Sequence, residues 1–255
     1  MNLIKSRRDI NKKNTFMLCE TIKKNDVSSD ILILHLQHMI NTKSEDLIRF
    51  YTLCGNSIIN KYLRSPDLYK KRDNGIEDII TSLQKLVRTS PAFDKDHTFY
   101  RFIDTDEYLN KLKIGDIYVD KGFVSTTRDP FYNFSKYNFG FILVKINVPK
   151  NHIGLALCVE SLSNYPKEQE IILPCFSKFK LISRNNNVTY YNSDDKISTL
   201  IKTKYEFNLV INKDYKFKFD DSFFKENLAQ ILNWFGISKK KTFKMAKIFF
   251  FLNFY

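Results

Sequence analysis

The hydrophobic periodicity of this chain changes once, near Pro91, and that change restricts the fold more than any other feature. Before it, apolar residues recur at helical spacing. Ile79, Ile80, Leu83, Leu86 and Val87 fall on one stripe, which predicts a helix over 79–87 packed on a core. Ser44 precedes Glu45 and Asp46 as a helix cap, and Leu47, Ile48, Tyr51, Ile58, Ile59, Tyr62 and Leu63 continue the pattern. The stretch 30–40 suits helix and strand equally. After Pro91 come short β-branched and aromatic runs broken by Asp, Asn, Gly and Pro, which predict strands at 98–103, 116–119, 122–126, 141–148, 155–159, 170–173 and 178–182. Several are almost wholly apolar, which places them inside a sandwich rather than on one open sheet. From about Arg184 the chain turns polar, with Asn185, Asn186 and Asn187 marking a turn or loop. Beyond it, 215–219 alternates Lys with aromatics as a half-buried strand does, 223–235 reads as a helix, and 239–255 joins a lysine run to an aromatic tail.

Composition bounds the class. A chain of 255 residues can bury a proper core, and 43% hydrophobic with 27% charged residues fits a folded soluble domain rather than a disordered or membrane-spanning one. The net charge of +13 draws the protein towards polyanions and keeps nucleic acid or an acidic protein open as a partner. The bias to Lys, Asn, Ile, Phe and Tyr suits an A/T-rich genome, such as that of a large virus or an endosymbiont. Cys19, Cys54, Cys158 and Cys175 lie far apart and share no metal-ligand spacing with the histidines, so reduced thiols and no metal are expected. Met1 to Lys13 is polar and basic, unlike a secretory signal, and the apolar run 248–255 is too short to cross a bilayer. The expected location is intracellular, in the cytoplasm.

Three elements carry chemistry, each on or beside a predicted strand: Tyr100-Arg101, then Gly122-Phe-Val-Ser125-Thr126-Thr127, then Glu168-Gln-Glu170. Each alone has a plain reading: an edge-strand arginine, a β-prone hydroxyl run, a solvated pair of charges. If Glu168 opens the strand of Glu170, the two carboxylates share one face, because strand side chains repeat every two residues. One arginine, a hydroxyl and a carboxylate pair, without metal, histidine or thiol, suit cleavage of the nicotinamide–ribose bond of NAD. Nicotinamide leaves from a pyridinium and needs no general acid, a fixed carboxylate stabilises the cationic ribose, and a guanidinium grips phosphate. The second carboxylate is left to accept a proton from an incoming nucleophile.

The ordered set resembles the arginine, Ser-Thr-Ser and Glu-x-Glu clade of mono-ADP-ribosyltransferases, which includes bacterial exotoxins and phage enzymes. The resemblance extends through 115–127, 141–149 and 161–174 and covers about 95–185. It implies an α+β fold, a split β-sandwich with N-terminal helices, and NAD as ADP-ribose donor. By the resemblance Glu170 is catalytic, Ser125 positions it, and Glu168 falls where arginine is the acceptor. Arg101, Tyr100, Ser125, Thr126, Thr127 and Arg128 line the NAD site, with 128–137 near its phosphates and nicotinamide. Tyr165 in the loop 161–167 meets the protein acceptor. Two departures are Phe102, where the clade often has glycine, and Thr127, where it has serine. The expected organisation is a helical region 1–92 belonging to the catalytic fold, an NAD-binding core 93–190 and a basic, aromatic extension 191–255. Alternatives to transfer are NAD hydrolysis, or a degenerate NAD-fold module that binds nucleic acid or an acidic partner.

Overall fold

A computed structural model describes residues 19–21, 25–65, 73–130, 142–192 and 197–211. The expected elements at 215–219 and 223–235, the basic end and positions 131–137 lie outside them.

The N-terminal region is helical, as its periodicity predicts. Helix α1 (Ser29–Asn41) settles the ambiguous stretch: Ile31, His35 and Met39 are buried at four-residue intervals, and Ser28 caps the helix by accepting from the Ile31 N–H. Its exposed Ile33, Leu34 and Ile40 had blurred that stripe. Helix α2 (Glu45–Phe50) begins after Ser44, but Ser44 does not cap it; its hydroxyl lies 2.9 Å from that of Thr42 instead. A π turn (Tyr51–Gly55) leads directly into α3 (Asn56–Arg64). Helix α4 (Asn74–Arg88) starts five residues before the predicted 79–87 because Asp73 caps it, accepting from the Gly75 and Ile76 N–H groups.

Strands β1 (Cys19–Thr21), β2 (His97–Ile103), β3 (Ile117–Asp120), β4 (Val124–Thr127), β5 (Ile142–Val148), β6 (Leu157–Cys158), β7 (Glu170–Leu173), β8 (Ser177–Asn192) and β9 (Ile197–Val210) form the sheet. Its order is β1-β8-β9-β5-β2-β4-β7-β6, with β3 on β8. One junction in this path is thin. Strand β2 pairs with β5 along its whole length but with β4 only through Tyr100 and Thr127. The sheet therefore splits there into two leaves that close on a common core, with Phe99, Val144 and Ile146 from one leaf against Val124, Ile171 and Leu173 from the other. A second core joins the helices to the outer face of β4, β6 and β7, where Tyr51, Ile59, Tyr62 and Leu83 meet Phe123, Leu157 and Ile172. This is the α+β split sandwich expected from the sequence.

Two expectations fail. Asn185 to Asn187 form no loop: they lie within β8, which pairs antiparallel with β9 from Lys178↔Val210 to Asn192↔Ile197. Pairing with β9, broken by a bulge between Leu181 and Ser183, gives most backbone groups along that edge a partner, which offsets the low strand propensity of asparagine. The core also does not end at 190. Strand β9 lies inside the sheet, parallel to β5 from Ile142↔Thr203 to Asn147↔Asn208, with Tyr205 and Phe207 in the core.

Candidate active site

Strand β4 has two faces. Val124 and Thr126 face the core between the leaves, while Ser125 faces the helices, as pleating requires. Strand β7 is in register with it, pairing Ser125 with Ile172 and Thr127 with Glu170, so Ser125 and Glu170 open on the same side. Ser125 lies close enough to Glu170 to favour its ionised form. Arg101 arrives from β2. Beyond the single Tyr100–Thr127 rung the strands diverge, and the Arg101 Nη1 donates to the Ser125 carbonyl at 3.2 Å.

The site is electrostatically tense. Burial pushes the Glu170 carboxyl up to about 7, and nearby Glu168 adds to that; the Ser125 hydrogen bond and Arg101 oppose it. Burial also raises Glu168 above the usual carboxylate range. The two carboxylates are neighbours, but not through a strand repeat. Glu168 ends a 3-10 turn (Pro166–Glu168), and Gln169 takes a left-handed conformation at φ 50° before β7 begins at Glu170. For a residue other than glycine that conformation costs about 1 to 2 kcal/mol. Thr127 holds the turn in place, its hydroxyl donating to the Glu168 carbonyl at 2.7 Å.

The remaining expected residues divide. Thr126 is buried in the core and donates to the Ile171 carbonyl at 2.8 Å, so its hydroxyl is spent on the sheet. Tyr100 is buried, and the pleat sends it to the opposite face of β2 from Arg101. Arg128 is turned away from a phosphate role: its Nε and Nη2 grip Glu160 at 2.8 and 3.1 Å, and its Nη1 donates to the Asn25 carbonyl. A carboxylate that matches the guanidinium fork leaves it little to offer a ligand. Tyr165 is exposed beside the Glu168 turn.

Three helical residues that the sequence reading left out also belong here. Tyr51, wholly buried on the π turn, places its hydroxyl 3.2 Å from that of Ser125, and burial together with Glu170 pushes its pKa well above that of a free phenol. Asn60 accepts the Phe123 N–H at 2.7 Å through Oδ1 and lies near Tyr51. Arg64 forks onto Asp120 at 2.9 and 3.1 Å and donates to the Phe123 carbonyl. Gly122 admits this packing, since a Cβ there would lie 2.7 Å from Asn60 Oδ1 and 2.9 Å from the Arg64 guanidinium. The signal was present: Asn60 is a polar residue inside the buried stripe of a helix. Tyr108 and Tyr118 pack with their ring centroids 5.5 Å apart, and both feel the charges of Arg64 and Arg101. A guanidinium beside a buried carboxylate suits a diphosphate joined to a sugar that gains positive charge. Among the described residues no group of His, Cys, Asp and Glu could hold a metal, and no helix is long and apolar enough to cross a membrane.

Comparison with known proteins agrees with this geometry. The ADP-ribosyltransferase exoenzyme family matches residues 29–207, from the start of α1 into β9. An uncharacterized protein of Acanthamoeba polyphaga mimivirus is 38% identical over 212 residues, a stretch that is 79% of this chain and 29% of that protein. The chain thus spans under a third of that relative. Among solved structures, Plx2a, an ADP-ribosyltransferase toxin from Paenibacillus larvae, superposes with TM-score 0.53 at 20% identity, over 76% of this chain and 100% of the toxin. C3stau2 from S. aureus, solved with NAD, gives TM-score 0.53 at 17% identity, over 76% and 100%. At these identities the likeness is one of fold.

Proposed function

Since this chain belongs to the ADP-ribosyltransferase exoenzyme family, we propose that it splits NAD and transfers ADP-ribose to a protein, with an arginine side chain as acceptor. The observation that carries this reading is the convergence of Arg101, Ser125 and Glu170, with Arg101 on the Ser125 carbonyl and Ser125 opening on the same side of the β4–β7 pair as Glu170. Bound NAD supplies a neutral leaving group, nicotinamide, and a ribose that gains positive charge as that group departs. Glu170 faces that charge as a carboxylate, in a buried setting where electrostatic attraction is poorly screened. Ser125 orients Glu170. Arg101 binds the diphosphate. Glu168, at the Tyr165 turn and half-exposed, accepts a proton from the acceptor guanidinium. The acceptor choice is supported by Glu168 being a carboxylate that lies near Glu170 yet is open to an incoming side chain.

We also place the activity in a reducing compartment such as the cytoplasm. Cys54, Cys158 and Cys175 are free thiols, which supports that reading.

The test is incubation with labelled NAD and a cell lysate, followed by mass spectrometry of the labelled material. ADP-ribose on arginine is the expected product. Label on another residue type would remove the acceptor assignment, and nicotinamide release without any labelled macromolecule would favour hydrolysis.

A further inference from the structure

We infer that the π turn Tyr51–Gly55 positions both sides of the reaction at once, Tyr51 holding the hydroxyl that orients Glu170 and Thr52 holding the loop that receives the acceptor. The inference rests on the transferase reading above.

The turn is held by a hydrogen bond from the Asn56 N–H to the Tyr51 carbonyl, five residues back, which inserts one residue into the helical path between α2 and α3. Adjacent helical side chains diverge by about 100°. Tyr51 and Thr52 accordingly face different neighbours. Gly55 permits the wide turn, because a Cβ there would lie 2.6 Å from the Phe50 ring and 3.0 Å from its carbonyl.

On the donor side the Tyr51 hydroxyl lies 3.2 Å from that of Ser125, either of which can donate, and Ser125 opens on the same side of the sheet as Glu170. Asn60, which accepts the Phe123 N–H at 2.7 Å, ties the helix that follows the turn to the segment leading into β4. Tyr51 thereby holds Ser125 beside Glu170, where Ser125 favours the ionised carboxylate.

On the acceptor side Thr52 donates to the Arg49 carbonyl at 3.4 Å and accepts twice from Asn164, from the backbone N–H at 3.2 Å and from Nδ2 at 3.0 Å. Asn164 Nδ2 also donates to the Arg49 carbonyl at 2.6 Å. Asn164 immediately precedes Tyr165 and the turn that ends in Glu168. One helical irregularity therefore braces both the strand residue beside the NAD carboxylate and the loop that leads to the acceptor carboxylate.

The experiment uses the full chain, NAD labelled in its adenylate half, and a cell lysate as source of acceptors. It records nicotinamide release alone, labelled protein per nicotinamide released, and thermal midpoints. Tyr51→Phe is expected to lower kcat for nicotinamide release about tenfold with KM for NAD unchanged, the effect of one hydrogen bond. It also moves the acid limb of that rate to higher pH, because Ser125 then holds Glu170 less firmly against Glu168, while Arg101 remains in place. Thr52→Val lowers labelled protein per nicotinamide about tenfold, and Thr52→Ser restores it. Asn164→Ala reads the same half should Thr52→Val fold poorly. Wild-type kinetics in either variant, a fall in labelled protein per nicotinamide in Tyr51→Phe, or a Thr52→Val chain that loses release as much as transfer, overturns the inference while the transferase reading stands. A wild-type chain that releases no nicotinamide overturns both.

Discussion

The two faces of the β4–β7 pair run side by side in register and have opposite characters. On the inner face Val124, Ile171 and Leu173 pack in the core between the leaves, and the one hydroxyl there, on Thr126, is bonded to the sheet itself. On the helix-facing side Ser125 and Glu170 lie together, with the Tyr51 hydroxyl 3.2 Å from that of Ser125. One pleat thus supplies adhesion on one side and chemistry on the other. The difference teaches that a buried polar residue on these strands is functional when its partners are other side chains that lead to a carboxylate, and structural when its partner is a backbone carbonyl.

The strongest way to test that contrast is Glu170→Gln. It should lower nicotinamide release and transfer together by on the order of a thousandfold, as loss of a preorganised electrostatic group does. It should not lower the thermal midpoint at pH 8. An acid whose folded pKa is raised, here from 4.5 to about 7, contributes stability that is full below 4.5 and lost as pH rises through about 7, so at pH 8 the native carboxylate is already a liability. A midpoint that drops sharply would return Glu170 to the structural side. Next in size, Glu168→Ala should reduce transfer about a hundredfold while NAD hydrolysis persists, measured by comparing labelled protein with free ADP-ribose. Equal loss of both would merge the roles of the two carboxylates.

The pH profile sharpens the contrast from another direction. The rate of nicotinamide release at low NAD should fall about tenfold per unit below pH 7, since only ionised Glu170 serves and its carboxyl titrates at about 7. A profile flat from pH 8 to pH 5 would contradict the burial that sets this value. Arg101→Lys should raise KM for NAD about tenfold, because an ammonium cannot reproduce a two-pronged guanidinium contact. Arg128→Ala should leave KM unchanged and lower the thermal midpoint, as its partner Glu160 loses a half-buried ion pair. The smallest expected effect is Thr126→Val, a loss of about 1 kcal/mol by denaturant titration with unaltered kcat.

Much of this was legible in residue order. Periodicity located α4 and most strands, since burial on one face leaves a regular imprint on the chain. Arg101, Ser125 and Glu170 were legible because each stands on or beside a strand whose pleat fixes its direction. Glu168 was placed correctly for the wrong reason: its approach to Glu170 comes from the left-handed Gln169, and no apolar alternation encodes such a turn. Asn185 to Asn187 misled because their pairing partner, β9, lies beyond a stretch of different composition. The ion pair of Arg128 was not legible because Glu160 is remote along the chain.

The sequence by itself determined the class of each segment, the split into helices and strands, and the three residues whose chemistry points to NAD, because those depend on local period and residue type. Only the tertiary structure decided which other groups reach them. Tyr51 and Asn60 belong to the site because the π turn and α3 pack on β4, and Arg64 because it clasps Asp120. Each of these contacts joins positions more than fifty residues apart, and such contacts are fixed by how surfaces pack, which no local pattern in the chain records.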